Sequence, residues 1–179
     1  VRILDLFKSA PKAVPKIVPK TTSGRVLTGG AAMTAMAVAL IGDFEGLRTE
    51  AYKDIVGIPT VCYGETRGVK MGDSRTKAEC DDMLVASLLT FEKGMNACLV
   101  SPETLPVKVR VAMLSVTYNV GYGQRGFCGS SMAKRINAGD VRGACDALLR
   151  WNRAGGREVK GLTRRRVEER KLCLEGIAG

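Results

Sequence analysis

The chain contains no histidine. That absence removes His-based triads, His proton shuttles and His-containing metal sites, and it leaves acid–base chemistry to carboxylates, Lys, Tyr or Cys. No two of the six cysteines (Cys62, Cys80, Cys98, Cys128, Cys145 and Cys173) form a C-x-x-C pair, and the gaps between them are wide and irregular. A zinc site is therefore not expected. Aromatic residues make up only 5% of the chain, with one tryptophan, too few for a set of base-stacking rings beside the basic residues. Acidic residues are also scarce: 18 against 28 Lys and Arg, a net charge of +10.

What is present bounds the protein further. A chain of 179 residues, 45% of them apolar, suits one domain with an extension and is long enough to bury a core. The basic surplus suits a polyanionic partner, whether nucleic acid, an anionic membrane or an acidic polymer such as cell wall. An even number of cysteines suggests disulfides and an oxidising compartment such as the bacterial periplasm. The competing reading is six buried thiols in the cytosol.

The N-terminal 41 residues depart from globular composition. Residues 1–25 carry Arg2, Lys8, Lys12, Lys16, Lys20 and Arg25 against Asp5, so half of the excess charge lies there. Prolines at 11, 15 and 19 prevent a continuous helix, and an extended basic tail is expected. Residues 26–41, V-L-T-G-G-A-A-M-T-A-M-A-V-A-L-I, hold no charge. As a helix these 16 residues would measure about 24 Å at roughly 1.5 Å per residue, short of a bilayer core of about 30 Å. Three readings stand: a signal peptide cleaved after Ala37-Val38-Ala39, an uncleaved and weakly held signal-anchor, or a core helix of a soluble protein. Basic residues on the N-terminal side favour a cytoplasmic N-terminus. The uncleaved form is preferred, because cleavage after Ala39 would truncate the helix expected to carry Glu45.

Downstream, Glu45 lies between Phe44 and Leu47, and Gly46 reads as a helix stop. Tyr52 to Tyr63 reads as a hairpin with its turn near Val56-Gly57. Apolar neighbours favour a protonated Glu45, and a polar turn favours an ionised Asp54. Two carboxyls in opposed environments form the pattern of a glycosidase pair. Solvated surface acids at this spacing are the plainer alternative.

The string E-G-L-R…A-Y-K-D…G…T-V-C-Y-G, with Glu45, Asp54 and Thr60, resembles the Glu-Asp-Thr triad of phage lysozymes (glycoside hydrolase family 24). T-K-A-E-C-D-D-M-L resembles the start of that family's inter-lobe helix, and A-M-L-S-V-T-Y-N-V-G-Y-G its central helix and following turn. R-W-N-R-A-G-G and G-L-T-R-R-R-V-E-E-R resemble its C-terminal motifs. The resemblance covers residues 42 to 176. It implies an α+β, mostly α, two-lobe fold: a small lobe with a β-hairpin, a long connecting helix and a larger helical lobe. It implies hydrolysis of the β-1,4 bond between N-acetylmuramic acid and N-acetylglucosamine, with Glu45 as acid, Asp54 as base and Thr60 positioning the water. Tyr118, Ser130 and Ser131 fall where the family lines its sugar cleft, although Tyr118 also continues the apolar stripe of Val111 and Leu114. Arg165 either approaches Glu45 or lies on a solvated helix face. Where the family commonly has His after the Y-G glycine, this chain has Glu65.

The domain division expected is a basic tail (1–25), a signal-anchor (26–41) and a catalytic domain (42–179). Thr76 and Glu79 form a capping box for a helix of about twenty residues. Val107–Asn119 reads as a helix stopped by Gly121, and Gly139-Asp140 opens another that runs to Trp151. Trp151 is expected in the core, with a sugar platform as the alternative. Arg164, Arg165, Arg166, Arg170 and Lys171 read as a wall-facing or solvated surface, with nucleic acid not expected as a partner. Six cysteines permit 15 connectivities. The expected set is Cys62–Cys80 in the small lobe, with Cys98–Cys128 and Cys145–Cys173 in the large one. No metal or cofactor is expected. The partners expected are peptidoglycan and, through residues 26–41, the host inner membrane; the protein is expected to be a monomer. Escape of the anchor into the periplasm would complete the site, an outline that resembles anchor-release endolysins. Two other readings remain: an inactive lysozyme-like module that grips wall, and a basic membrane-active protein.

Overall fold

Gly30–Glu45 form one helix, α1, in the computed structural model, which describes residues 24–54 and 56–178. Most of the expected basic tail, residues 1–23, lies outside the described residues. The helix crosses from the apolar run into the catalytic region without a break. Met33, Thr34, Ala37, Val38 and Ile41 are buried, a spacing of three and four that puts them on one face. Leu27, also buried, donates its N–H to Thr34 Oγ1 at 2.8 Å, and the Thr34 hydroxyl donates to Gly30 O at 2.9 Å. Polar residues within the weakly apolar run thus close its own first turn. No helix among the described residues is long and apolar enough to cross a membrane. At the other end Gly46, with φ 75, stops α1 and donates its N–H to Gly42 O. A side chain would be strained at that φ.

A hairpin follows. Strand β1 (Arg48–Lys53) runs antiparallel to β2 (Pro59–Cys62), pairing Tyr52 with Thr60 and Lys53 with Pro59. The strand begins at Arg48, four residues before the expected Tyr52, and the register shifts between Arg48 and Tyr52. The extension has a non-local cause. Ala51 N–H donates to Asp73 O, and Arg75 N–H donates to Thr49 O, both at 2.8 Å. The 73–75 segment therefore gives β1 a second hydrogen-bonding partner that local pattern does not reveal.

Helix α2 (Lys77–Asn96) starts at the expected capping box. Thr76 donates its N–H and its hydroxyl to Glu79 Oε2 at 2.6 and 2.8 Å, and Glu79 N–H donates to Thr76 Oγ1 at 3.3 Å. Two adjacent links tie β2 to the first turns of α2. One is the Cys62–Cys80 disulfide. The other is the buried carboxylate of Asp81, which accepts from Tyr63 Oη at 2.7 Å and pairs with Lys77 Nζ at 2.5 Å. Burial, then the Asp81 carboxylate, push the Tyr63 phenol well above its ordinary pKa.

Contacts divide the described chain into two compact units, 24–87 and 88–178, and α2 runs through the boundary. In the second unit α3 (Val107–Val120) is buried at every position from Val109 to Thr117, the mark of a helix enclosed on all sides. It packs along α6 (Lys160–Ala178). In chain order α4 (Ser131–Asn137), α5 (Val141–Ala147) and the short pair β3 (Arg153–Ala154) and β4 (Arg157–Glu158) come between the two. Asp140 caps α5 by accepting Gly143 N–H at 2.8 Å. The α-helix stops at Ala147 rather than reaching Trp151, because the chain tightens into a 3-10 turn over Leu148–Arg150. Cys98–Cys128 and Cys145–Cys173 are bonded, closing separations of 30 and 28 residues. Cross-links over such loops are each worth about 2–4 kcal/mol.

The Thr76 N–H, then the Thr76 hydroxyl, hold the Glu79 carboxyl below its ordinary pKa. A carboxylate held low in the fold stabilises fully above its ordinary value and loses that contribution as pH falls through the lowered one. Glu79→Ala is therefore expected to lower Tm at pH 7, with the difference shrinking as pH drops into the acid range. Thermal melts along a pH series check this.

Candidate active site

Glu45 is the last residue of α1 and is half-buried, beside half-buried Phe44 and exposed Leu47. Asp54 follows β1 and opens the hairpin turn. Its Oδ1 accepts Val56 N–H at 3.0 Å and Ile58 N–H at 2.8 Å. Gly57, with φ 82, turns the chain and donates its N–H to Asp54 O at 3.0 Å. Aspartate suits this place because its short carboxylate reaches backbone N–H groups two and four residues on.

Ile58 joins Asp54 to Thr60. Its N–H holds Asp54 Oδ1, and its carbonyl accepts both Asp54 N–H and Thr60 Oγ1–H, each at 3.0 Å. Thr60 is fully buried and stands opposite Tyr52 across the ladder. The Arg48 guanidinium lies 4.1 Å over the Tyr52 ring. Among the described residues, both hydrogen bonds to the Asp54 carboxylate fall on Oδ1, which leaves Oδ2 to take a further donor. The Thr60 hydroxyl spends its proton on Ile58 O, and its lone pairs remain able to accept. A carboxylate oxygen and a hydroxyl oxygen fixed on one turn can orient a water molecule.

Glu45, Asp54 and Thr60 therefore belong to the 24–87 unit, whereas Tyr118, Ser130, Ser131 and Arg165 belong to the 88–178 unit. Tyr118 is half-buried at the end of the stripe begun by fully buried Val111 and Leu114, with its ring centroid 4.9 Å from that of Phe91. Ser130 is buried and caps α4, its hydroxyl accepting Ala133 N–H at 3.2 Å. Ser131 is half-buried at the first position of α4. Trp151, expected in the core, is half-buried where the 3-10 turn ends. Glu65 Oε1 accepts Thr66 N–H and Arg67 N–H and closes the turn after β2.

The basic set around Arg165 is only in part the solvated or wall-facing surface that its sequence suggests. Arg165 and Arg166 are buried in the helical unit and both pair with buried Glu169 at 3.1 Å. Ser115 Oγ donates to Glu169 Oε1 at 2.6 Å, Arg165 donates to Ser115 O, and Arg166 donates to Asn119 Oδ1. The run R-R-R looked solvated because three like charges in sequence suggest a surface. A helix turns about 100° per residue, so Arg164 is exposed while its two neighbours face α3. Arg170 pairs with Asp146 at 2.7 Å, and Lys171 is exposed.

The peptide groups of Val56 and Ile58 were not singled out from sequence. The signal was the order Asp54, Val56, Gly57, in which a carboxylate precedes a glycine able to take positive φ.

The phage lysozyme family model matches residues 42–169. The chain belongs to the phage lysozyme family. It is a muramidase, a glycosidase of the phage endolysin type that serves cell lysis. It is 41% identical over 154 residues to a SAR-endolysin of Enterobacteria phage P21, covering 83% of this chain and 91% of that one. An endolysin from Escherichia coli O157:H7 phage FAHEc1 superposes with a TM-score of 0.69 at 33% identity, over 78% of this chain and 91% of that chain. A P22 lysozyme mutant gives 0.70 at 31% identity, over 77% and 94%.

Removing Glu169 would leave two guanidinium groups buried without their shared carboxylate. Glu169→Ala is expected to cost about 3–5 kcal/mol, to be read from denaturant unfolding. A loss under about 1 kcal/mol would mean that the pairs are not held in solution.

Proposed function

We propose that this muramidase hydrolyses the β-1,4 bond between N-acetylmuramic acid and N-acetylglucosamine in peptidoglycan by single displacement. Glu45 delivers its proton to the glycosidic oxygen as the bond to C1 of the muramic acid breaks. Water attacks C1 from the opposite face and gives its proton to Asp54, while Thr60 aligns that water. The observation that carries this reading is the hairpin turn. One Asp54 oxygen is locked by two backbone N–H groups, and Thr60 is tied to the same Ile58 peptide, so two acceptors are held in place before substrate arrives. A net charge of +10 suits an anionic wall.

Glu45→Gln is expected to lower kcat by roughly 10²–10⁴ on isolated sacculi while Tm stays near the parent value. Turnover within about tenfold of the parent would remove Glu45 from the acid role. Proton NMR of the first product is expected to show inversion at C1; retention would remove Asp54 from the water-activating role.

We further propose that residues 26–41 first hold the enzyme in the host inner membrane, uncleaved and with the N-terminal side cytoplasmic. They then leave the bilayer, and the enzyme becomes soluble in the periplasm. Curated relatives bear the name SAR-endolysin. The run is uncharged yet rich in Gly, Ala and Thr, a composition that enters a bilayer weakly. Helix α1 begins inside the run and ends at Glu45, so the position of the run governs the helix that carries the acid. Cleavage after Ala39 would remove Gly30–Ala39, more than half of α1. Replacing Thr28, Gly29, Gly30 and Thr34 by Leu should favour retention by several kcal/mol, roughly 1 per residue. The variant is expected in the membrane fraction with poor lysis. A wild-type protein whose mature N-terminus is Leu40 would overturn the proposal.

A further inference from the structure

The turn that orients Asp54 is built from backbone groups alone. Val56 and Ile58 supply N–H donors, Gly57 supplies the positive φ, and Ile58 supplies a carbonyl. None of these contacts depends on which side chain stands at 56 or 58. Tight turns generally carry Asn, Asp, Ser or Gly, yet this one presents two branched apolar side chains, Val56 71% exposed and Ile58 47% exposed. Their placement is not arbitrary. The ladder pairs Tyr52 with Thr60 and Lys53 with Pro59, and Asp54 N–H bonds Ile58 O. Ile58 immediately precedes β2 and continues its ladder through that bond, two residues from Thr60 and so on the same face. That face runs from fully buried Thr60 out to exposed Ile58.

We propose that Val56 and Ile58 form an apolar rim that receives the acetamido methyl group of the muramic acid residue whose C1 is attacked. The inference rests on the assignment of Asp54 and Thr60 to the attacking water. Water held by those two groups approaches C1, and the acetamido group is attached to C2, one bond away. It carries the methyl group nearest the reacting carbon, and among the described residues of the turn the exposed apolar side chains are those of Val56 and Ile58, whose N–H groups hold Asp54. The rim makes the enzyme selective for N-acetylated amino sugar over the free amine. A lipid surface is the other chemistry that covers exposed Val and Ile. It fits poorly here, because insertion of the tip would carry the Asp54 carboxylate and exposed Lys53 into a low-dielectric medium.

The test compares the parent enzyme with the Val56→Ser/Ile58→Ser double variant on intact sacculi and on sacculi chemically stripped of their N-acetyl groups. One methyl group in an apolar contact changes kcat/KM by about tenfold or more. The parent is expected to prefer the acetylated wall by at least that factor. The double variant is expected to raise KM on acetylated wall by about tenfold with a smaller change in kcat, and its preference should fall to within about twofold. Ile58→Thr, which keeps a β-branched residue and the same peptide groups, should lie between the two and guards against a folding failure of the double variant. A parent without preference, or variants that keep the whole preference, would overturn the rim. Loss of co-sedimentation with phosphatidylglycerol vesicles at unchanged KM would overturn it in favour of a lipid contact. The acid assignment fails separately: it falls if Glu45→Gln stays active, whatever the rim variants do.

Discussion

Two N–H groups, from Val56 and Ile58, grip one oxygen of Asp54, and the Ile58 carbonyl takes both the Asp54 N–H and the Thr60 hydroxyl. This small set of bonds fixes the hairpin turn. The turn fixes the register in which Thr60 faces Tyr52, and the register decides which side chains lie inward. A one-residue slip would send Thr60 to the other face and separate it from the carboxylate. The placement of Asp54 and Thr60 relative to one another is thus the consequence of one constraint. The links from β2 to α2, the Cys62–Cys80 disulfide and the Tyr63–Asp81 hydrogen bond, hold the far end of the same strand.

The two units use different means of cohesion. The 24–87 unit has little sheet; beside the buried faces of α1 and of the first turns of α2 it relies on turn bonds, a capping box and a disulfide. The 88–178 unit encloses α3 and sets a buried ion cluster against it. Glu169 there serves two arginines, a serine donates to the same carboxylate, and Asn119 accepts from one of the guanidiniums. Such a cluster contributes little net stability relative to apolar packing, but its members depend strongly on one another. It fixes how α6 meets α3, and two disulfides brace the same unit.

Helix α1 connects the organisation of the chain to its function. Its residues Met33, Ala37, Val38 and Ile41 are buried in the fold, and in the membrane-held state proposed above the same residues would have to leave those contacts. One apolar face can serve either environment but not both at once. Thr34 favours the folded alternative, since its hydroxyl bridges Gly30 O and Leu27 N–H.

Much of this protein was legible in its residues. The Thr76–Glu79 capping box, Gly46 and Gly121 as stops, and the order of Glu45, Asp54 and Thr60 are local signals, and each acts through neighbours within a few positions. These sufficed for the fold class and for the family. The extension of β1 to Arg48 was not legible, because it depends on residues 73–75, more than twenty positions away. Nor was the burial of Arg165 and Arg166, because charge in sequence says nothing of which helix face meets α3. Ser130 was expected only as a cleft residue, and its role as the cap of α4 became visible once that helix was seen to begin beside it. The cysteine pairing was one choice among many on paper, and only the approach of β2 to α2, and of the segments around Cys98, Cys128, Cys145 and Cys173, selects it. Local chemistry therefore determined the elements and the candidate site, while long-range packing decided which polar groups are buried, because a residue's distant neighbours exist only once the chain has folded.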